Sequence, residues 1–354
     1  MTRGMWRRRA LGRGMMAIAG LAVSANATAG AFLFAGSEQS DGSVLPFDII
    51  THPATYFGTG GDITVNVCID PSSEAIDEMQ VSVANAIDTW NRREPASPNL
   101  FFGNSNDIPS GAIDFESTLL HELGHCLGLA HPNEATESGL GGAARNYTRT
   151  DPGPNRQRDL DAGADGIRGS ADDLRGDDIN LHWFAIDTNN PFVLSTPIDI
   201  SNYSRDLADL PAGDTFAANA DRSVGASLGF ANTEAVMQQG ATSNEDQRQL
   251  AVDDVATLGL GMAGLDRTAG TPDDYRPVLV YDGVQTGCEI NINVTGNSFA
   301  FCQAGGQFIN QSGSPPHIRI SSANVQLGST SQINWFFSVS EDLFADGFET
   351  PTPD

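Results

Sequence analysis

Apolar and polar residues alternate along positions 63–70, which read ITVNVCID. A period of two belongs to a strand that buries one face, so this stretch predicts a β-strand. In the following stretch, apolar residues recur every three or four positions, at Ile76, Met79, Val83, Ile87 and Trp90. That period predicts an amphipathic α-helix, with Asp70 as its N-cap, Pro71 in its first turn and its end before Pro95.

Two further segments have the helical period. In the first, at positions 115–127, the inward positions are Leu119, Leu120, Leu123 and Leu127. The second is QRQLAVDDVATLGLGMAGL at 247–265, where the inward positions are Leu250, Val252, Val255, Leu258 and Met262. Both segments therefore predict helices that bury one face.

The last part of the chain changes to strand-like runs, VLVYDG, CEININVTG, SFAFCQ, HIRISS and INWFFSVS, which Gly, Asn and Ser turns separate. They predict a small antiparallel β unit at 276–340. The alternative, in which these strands pack as extra sheet on the preceding domain, stays open. Positions 341–354 are acidic and rich in proline, and we expect a disordered tail there.

Positions 1–27 have the pattern of a signal peptide. Arginines at the start precede the short apolar run MMAIAGLAV, and small residues follow around Ala25 and Ala27. The run is too short to span a bilayer, which takes about 20 residues. We therefore expect a secreted or extracellular protein, with the cell surface and the periplasm left open as locations.

The charge of the chain is strongly acidic. It has 19 arginines, no lysine and 45 acidic residues, and removal of the five leader arginines leaves 14 basic residues and a formal charge of −31. Such a balance excludes nucleic acid and anionic membranes as partners.

The stretch HELGHCLGLAH, positions 121–131, carries the candidate chemistry. His121 and His125 are four apart, so on a helix they project from one face and can bind one ion together. Gly128 can take the left-handed conformation that ends a helix, and the chain can then bring His131 back as a third ligand. A catalytic zinc usually has three protein ligands and an open fourth position, so the spacing predicts a zinc site. Glu122, beside the first ligand, can reach a water on the metal.

The complete pattern HExxHxxGxxH resembles the metzincin metallopeptidases. The strand and helix that carry ANAIDTWN are similar to the opening of the matrixin branch, and Pro132 after the third histidine resembles serralysins. The resemblance implies an α+β catalytic domain at 28–275, with a twisted sheet, a zinc helix, a Met-turn and a C-terminal helix. It makes Met237 the Met-turn residue beneath the metal, just before a helix in which an acidic pair also occurs.

The chain also departs from these families. About twenty residues separate the first helix from the zinc helix, where matrixins have several more strands, so the sheet is either reduced or completed from elsewhere in the chain. A long insertion, at about 133–230, precedes the Met-turn. Gln239 stands where serralysins and astacins carry a tyrosine that stabilises the transition state, which leaves that role unassigned.

An acidic stretch within the insertion, DLDAGADGIRGSADDLRGDD at 159–178, has seven aspartates. Asp161, Asp165, Gly166 and Asp172 fall on ligand or turn positions of a DxDxDG calcium loop, although Gly163 replaces one ligand. Two interpretations stay open here, a Ca²⁺ site and a solvated acidic loop. A related pattern recurs around Asp273 and Asp274.

Four cysteines in a secreted chain predict disulfides. Cys288 and Cys302 bracket a predicted hairpin and are expected to pair, which leaves Cys68 with Cys126. Strand alternation puts Cys68 on the face opposite Val65 and Val67, which argues against the second bridge. The remaining histidines, His52, His182 and His317, have no metal-ligand spacing and are expected to be ordinary residues.

The resemblance implies a secreted zinc metalloendopeptidase that acts on a protein or peptide substrate as a monomer. His121, His125 and His131 would hold Zn²⁺, and Glu122 would be the general base. Two alternatives are a non-catalytic extracellular binding protein that keeps the fold and a calcium-structured adhesion protein. The intact Glu122 argues against the first of these.

Overall fold

The computed structural model describes residues 32–35, 48–95, 107–131, 183–185, 203–204, 235–238, 243–296, 299–310, 315–329 and 333–336, with positions 37, 43, 45, 46, 241 and 313. The predicted signal peptide, the acidic stretch 159–178, Pro132, Gln239 and the C-terminal tail lie outside these residues.

The described elements are three helices and eight strands. The helices are α1 (Ile76–Arg92), α2 (Phe115–Cys126) and α3 (Val252–Met262). The strands are β1 (Ile50–His52), β2 (Gly61–Ile69), β3 (Phe184–Ala185), β4 (Tyr203–Ser204), β5 (Tyr275–Val284), β6 (Ile290–Gly296), β7 (Ala300–Asn310) and β8 (His317–Gly328). The periodicity of the sequence thus predicted β2 and all three helices.

The start of α1 differs from the prediction. The helix begins at Ile76, with Ala75 in the N-cap position. Asp70 instead accepts hydrogen bonds from the backbone N–H and the hydroxyl of Ser72, at 2.8 and 2.6 Å. A hydrogen bond from the backbone two residues ahead to an aspartate side chain forms an Asx-turn. Asp70 therefore stabilises a turn that precedes the helix, and it does not cap the helix.

Six strands form one mixed sheet. β2 pairs in parallel with β5 on one side and with β6 on the other, and β6 pairs in parallel with β8. The far edge of β8 pairs with antiparallel β7, while β1 runs parallel to the first residues of β8. β3 and β4 form a separate antiparallel pair.

The expectation of an antiparallel β unit at the C-terminal end is therefore wrong for β5, β6 and β8. These strands belong to the same sheet as β2, and only β7 runs antiparallel within it. The sheet is completed from elsewhere in the chain, because the strands that follow α3 supply four of its six members. At the coarse level the fold is mixed helix and sheet, as predicted.

One apolar core joins the helices to the sheet. α1 packs on α2 and β5, while α2 packs on β7 and β8. The indole N–H of Trp90 in α1 donates to the carbonyl oxygen of Leu120 in α2 at 2.9 Å. Residues that are fully buried in this core include Val67, Met79, Trp90, Leu119, Leu123, Ile292 and Val325. The core therefore fixes α2 against the half of the sheet that carries β7 and β8.

The disulfides differ from the predicted pairing. Cys68 pairs with Cys288, and Cys126 pairs with Cys302, with Cα atoms 5.8 and 5.9 Å apart. The prediction is wrong because it took 288–302 as a hairpin. In the structure, β6 runs beside β2 and brings Cys288 to Cys68, while β7 lies against the end of α2.

No helix among the described residues is long and apolar enough to cross a membrane.

Candidate metal centre

Helix α2 presents the candidate site, and its start is firmly held. Asp114 is the N-cap residue and accepts a hydrogen bond from the backbone N–H of Ser117 at 3.0 Å. The guanidinium of Arg248 binds both oxygens of the same carboxylate, at 2.8 and 2.9 Å. A bidentate pair of this kind is geometrically specific, so it ties α2 to the segment that leads into α3.

The turn after α2 depends on Gly128. Its φ angle is +107°, and a Cβ atom at this position would lie 2.5 Å from the carbonyl oxygen of Thr51. The helix ends as predicted, with the N–H of Gly128 bonded to His125 and that of Leu129 bonded to Gly124. Both the positive φ angle and the close approach of β1 therefore exclude a side chain at this position. The tight turn that results brings His131 back towards α2.

Three imidazoles converge on one point. The Nε2 atoms of His121, His125 and His131 lie 3.0 to 3.2 Å from one another. Tetrahedral ligation by imidazole at about 2.0–2.1 Å places nitrogens at a similar separation, about 3.3 Å. The three predicted ligands can thus hold one metal ion together.

The hydrogen bonds of two rings fix their tautomers. Nδ1 of His121 lies 2.6 Å from the carbonyl oxygen of Val236, and Nδ1 of His125 lies 2.8 Å from that of Leu129. Carbonyl oxygens only accept, so both Nδ1 atoms carry protons and both Nε2 atoms carry lone pairs. Two lone pairs that face each other at 3.0 Å repel unless a cation lies between them.

Burial keeps these rings neutral, as ligands must be. It lowers the pKa of His121 to about 4, and burial together with His121 lowers the pKa of His125 to about 3.

Met237 lies directly against α2; its role beneath a metal stays a prediction. It is buried, and its sulfur and methyl group occupy the space where Gly124 would otherwise carry a side chain. Gly124 lies about one turn after His121 and directly before His125. Because Gly124 has no side chain, the thioether of Met237 can pack directly against the backbone of α2.

Asp254 holds this turn in place. Its carboxylate accepts backbone hydrogen bonds from Val236 at 2.9 Å, Met237 at 3.0 Å and Ala251 at 2.7 Å. The sequence showed that Asp253 and Asp254 form an acidic pair in this helix, but it did not predict what either of them contacts. The carbonyl of Val236 that binds His121 is thus positioned by the first turn of α3.

Glu122 directly follows His121 in α2 and is only 4 % exposed. Burial raises its pKa to about 8, with a smaller opposite influence from the backbone of Cys302 in β7. Among the described residues, its Oε2 atom has no hydrogen-bond partner. A buried oxygen of this kind is free to bind a water or a substrate group.

The structure does not describe the predicted calcium residues Asp161, Asp165 and Asp172, so calcium stays a prediction. Around Asp273 and Asp274, where the sequence pattern recurs, the carboxylates accept from the N–H groups of Leu265 and Gly270. These carboxylates stabilise a turn. The only other metal-like group in the described part of the chain contains Cys68 and Cys288, which form a disulfide.

Two histidines that the sequence analysis treated as ordinary form a buried network. Nε2 of His52 lies 2.8 Å from Nδ1 of His317, and its Nδ1 lies 3.1 Å from the hydroxyl of Tyr275. The rings of His52 and Tyr56 are also in contact, 4.5 Å apart. No sequence signal could have found this network, because Tyr275 and His317 are each more than 200 positions from His52.

Comparison of the chain with protein-family models, curated proteins and solved structures gave no match.

Proposed function

We propose that this chain is a secreted zinc-dependent metalloendopeptidase of metzincin type. The observation that carries the proposal is the convergence of three imidazole nitrogens, of which those of His121 and His125 carry lone pairs that face each other. The residue after His121, Glu122, has a buried carboxylate whose Oε2 atom has no partner among the described residues. A set of three neutral histidines is typical of a zinc site that keeps one position for substrate or water.

His121, His125 and His131 would hold the ion. Bound zinc supplies Lewis-acid chemistry, which makes water more acidic and polarises a carbonyl group. Glu122 accepts the proton of the attacking water and passes it to the leaving amine, as a general base that becomes a general acid. The burial of Glu122 supports this role, because a carboxylate that is shielded from bulk water exchanges protons with groups in the site and not with solvent.

The position of β7 supports a peptide substrate. In the described part of the chain β7 pairs on one side only, with β8, and it packs against α2, the helix that carries Glu122. An extended peptide can add to a free strand edge through main-chain hydrogen bonds. A peptide along β7 would then bring a peptide bond to the carboxylate and the histidines.

The main rival is a non-catalytic extracellular binding protein with the same fold. Purified wild-type protein should contain about one zinc per chain and should cleave members of a randomised peptide library. The rival gives zinc without cleavage at any peptide. Protein that binds no zinc after incubation with excess metal would refute both the metal site and the enzyme.

A further inference from the structure

Residues 32–35 form a turn with an unusual backbone. The N–H of Ala35 donates to the carbonyl oxygen of Phe32 at 3.3 Å, and Phe34 has a φ angle of +72°. A positive φ angle at the third residue is typical of a type II turn, in which this position is usually glycine. A bulky side chain in this conformation is strained, and such strain persists only where the surrounding structure holds the residue in place.

The backbone of this turn is bonded to the loop that follows α2. The N–H of Leu33 donates to the carbonyl oxygen of Gly128 at 2.9 Å, and Phe32 forms an antiparallel bridge with Leu129. The hydroxyl group of Thr51 in β1 donates to the carbonyl oxygen of Leu33. Turn 32–35 therefore lies along Gly128 and Leu129 and is itself bound to β1.

The aromatic side chains of the turn pack on two other elements. Phe32 is only 2 % exposed, and its ring lies 3.3 Å from the position where Gly261 in α3 would carry a Cβ atom. The ring of Phe34 lies 2.9 Å from the corresponding position of Gly306 in β7. Both glycines leave room for an aromatic ring, so contacts with α3 and β7 hold the strained turn.

The loop that this turn holds carries the hydrogen-bond partner of a predicted metal ligand. The carbonyl oxygen of Leu129 lies 2.8 Å from Nδ1 of His125, and the N–H of Leu129 donates to the carbonyl oxygen of Gly124 at 3.0 Å. Both backbone groups of Leu129 are thus bonded to α2, while its neighbour Gly128 is bonded to Leu33. A shift of this loop would move the oxygen away from His125, and partners of this kind set the orientation of a ligand ring.

We propose that turn 32–35 is a positioning element of the metal centre. It holds Gly128 and Leu129 in place, and Leu129 in turn keeps the ring of His125 directed at the ion. The same loop leads to His131, two residues after Leu129, so the turn supports the second and the third ligand together. This inference rests on the proposed zinc site and adds to it a segment from far earlier in the chain.

Leu33→Pro tests the hydrogen bond without removal of the turn. Proline has no N–H to donate to Gly128, and it is common at the second residue of a type II turn, which is the place of Leu33. Ile292→Ala is the control for lost stability, because Ile292 is fully buried in β6 and belongs neither to the turn nor to the loop after α2. Both variants should melt at a lower temperature than wild type.

The measurements are the affinity for Zn²⁺ and the visible absorption of the Co²⁺-loaded protein, which reports the geometry of the ligands. Leu33→Pro should bind Zn²⁺ about 10- to 100-fold more weakly than wild type and give an altered Co²⁺ spectrum. Ile292→Ala should keep the wild-type spectrum and bind Zn²⁺ within about twofold of wild type. Wild-type affinity together with an unchanged Co²⁺ spectrum in Leu33→Pro would overturn the proposal.

Phe32→Ala and Phe32→Leu provide a second pair, which decides the question if Leu33→Pro does not fold. Loss of the ring should weaken Zn²⁺ binding and alter the Co²⁺ spectrum, and leucine, which refills most of the space beside Gly261, should restore both. Equal Zn²⁺ affinity in wild type and Phe32→Ala would then refute the role of the turn.

Peptide cleavage by the wild type is assayed separately. A wild type that binds Zn²⁺ but cleaves no peptide refutes the peptidase, while the metal measurements still decide the role of the turn. A wild type that binds neither Zn²⁺ nor Co²⁺ overturns both proposals.

Discussion

At the scale of single residues, backbone carbonyl groups decide what the histidines can do. The carbonyl oxygens of Val236 and Leu129 accept hydrogen bonds from the protonated Nδ1 atoms of His121 and His125, which leaves the Nε2 lone pairs for a metal. The same carbonyl groups fix the ring orientation, and loss of such a partner typically lowers metal affinity or activity about 10- to 100-fold. The site therefore depends on Val236 and Leu129, whose side chains have no reactive groups and which act through their backbone carbonyl groups.

Gly128→Ala should destabilise the folded chain and weaken metal binding. Alanine would have to adopt the positive φ angle of this position, and its Cβ atom would lie 2.5 Å from the carbonyl oxygen of Thr51. We expect a loss of at least about 2 kcal/mol in the free energy of unfolding, with weaker zinc affinity because His131 follows this turn.

Gly270→Ala is the control for the backbone conformation. Gly270 has φ of +94° and no atom within 4 Å of the Cβ position. Alanine at this position would therefore have the backbone strain but no steric clash. Denaturant unfolding and zinc titration of both variants separate the two effects. Zinc affinity equal to that of wild type in Gly128→Ala would show that the turn does not position His131.

Asp254→Asn should weaken both the turn and the metal site. An amide has a single acceptor oxygen for the three N–H groups that the carboxylate now binds, and its NH₂ group would face donors. We expect a loss of about 3 kcal/mol in the free energy of unfolding and zinc affinity that is about 10- to 100-fold weaker.

The neighbouring Asp253→Asn is the control. Burial and the adjacent Asp254 raise the pKa of Asp253 well above its ordinary value, which favours the neutral carboxyl group that an amide resembles. Zinc titration and chemical unfolding compare the two variants. An Asp253→Asn protein that loses as much zinc affinity as Asp254→Asn would refute the specific role of Asp254.

The sequence predicted the chemistry of the residues better than their contacts. The spacing of His121, His125 and His131 is local and follows from helix geometry and one glycine. The partners of these rings lie on segments that are distant in sequence, since Val236 reaches His121 across the whole insertion. Such contacts depend on how the chain folds back, and periodicity carries no information about that.

At the scale of elements, the pairing of β1 with β8 connects the buried histidine network to the metal centre. His52 and His317 lie on these two strands, and the carbonyl of Thr51, the residue before His52, lies against Gly128. Protonation of this pair would place charge in a buried position beside the strand that supports the turn to His131.

The stability of the protein should fall on acidification between pH 6.5 and 4. Burial, with a smaller contribution from Arg267, lowers the pKa of His317 to about 4, and burial lowers the pKa of His52 well below its ordinary value. In this pH window the unfolded chain binds more protons than the folded one, so stability rises with pH across it. The loss for His317 alone amounts to about 3 kcal/mol.

His317→Asn removes this titration and should flatten the dependence. The experiment is a series of thermal melts from pH 4 to 7 on zinc-loaded wild type and variant. Because the metal ligands are the same in both proteins, their contribution cancels in the difference. Stability curves that run parallel over this range would contradict the assignment.

Elements with a strong local period were predicted, and the pairing of strands was not. β2 and α2 follow from alternation and from the helical period together with a glycine stop. The parallel direction of β5 and β6 is set by their pairing with β2, which lies far earlier in the chain. The short runs with Asn and Ser turns gave no sign of this pairing, because local turn residues carry no information about a distant partner strand.

At the scale of the whole molecule, both disulfides join the first part of the chain to the strands that follow α3. Peptide mapping of unreduced protein should give Cys68 with Cys288 and Cys126 with Cys302. Each bridge closes a long loop, so removal of Cys68–Cys288 should lower the free energy of unfolding by about 5 kcal/mol in the chain-entropy estimate. Recovery of a Cys288–Cys302 peptide would show that β7 does not lie against α2.

The central claim is that Glu122 moves the proton and the three histidines hold the metal. The most direct measurement is bound zinc and peptide cleavage, side by side, for wild type, Glu122→Gln and His125→Ala. Glu122→Gln should keep about one zinc per chain and lose about 10²- to 10⁴-fold in cleavage rate, as expected for lost acid–base catalysis, while His125→Ala should lose both. A zinc-loaded Glu122→Gln protein that cleaves as fast as wild type would contradict the account.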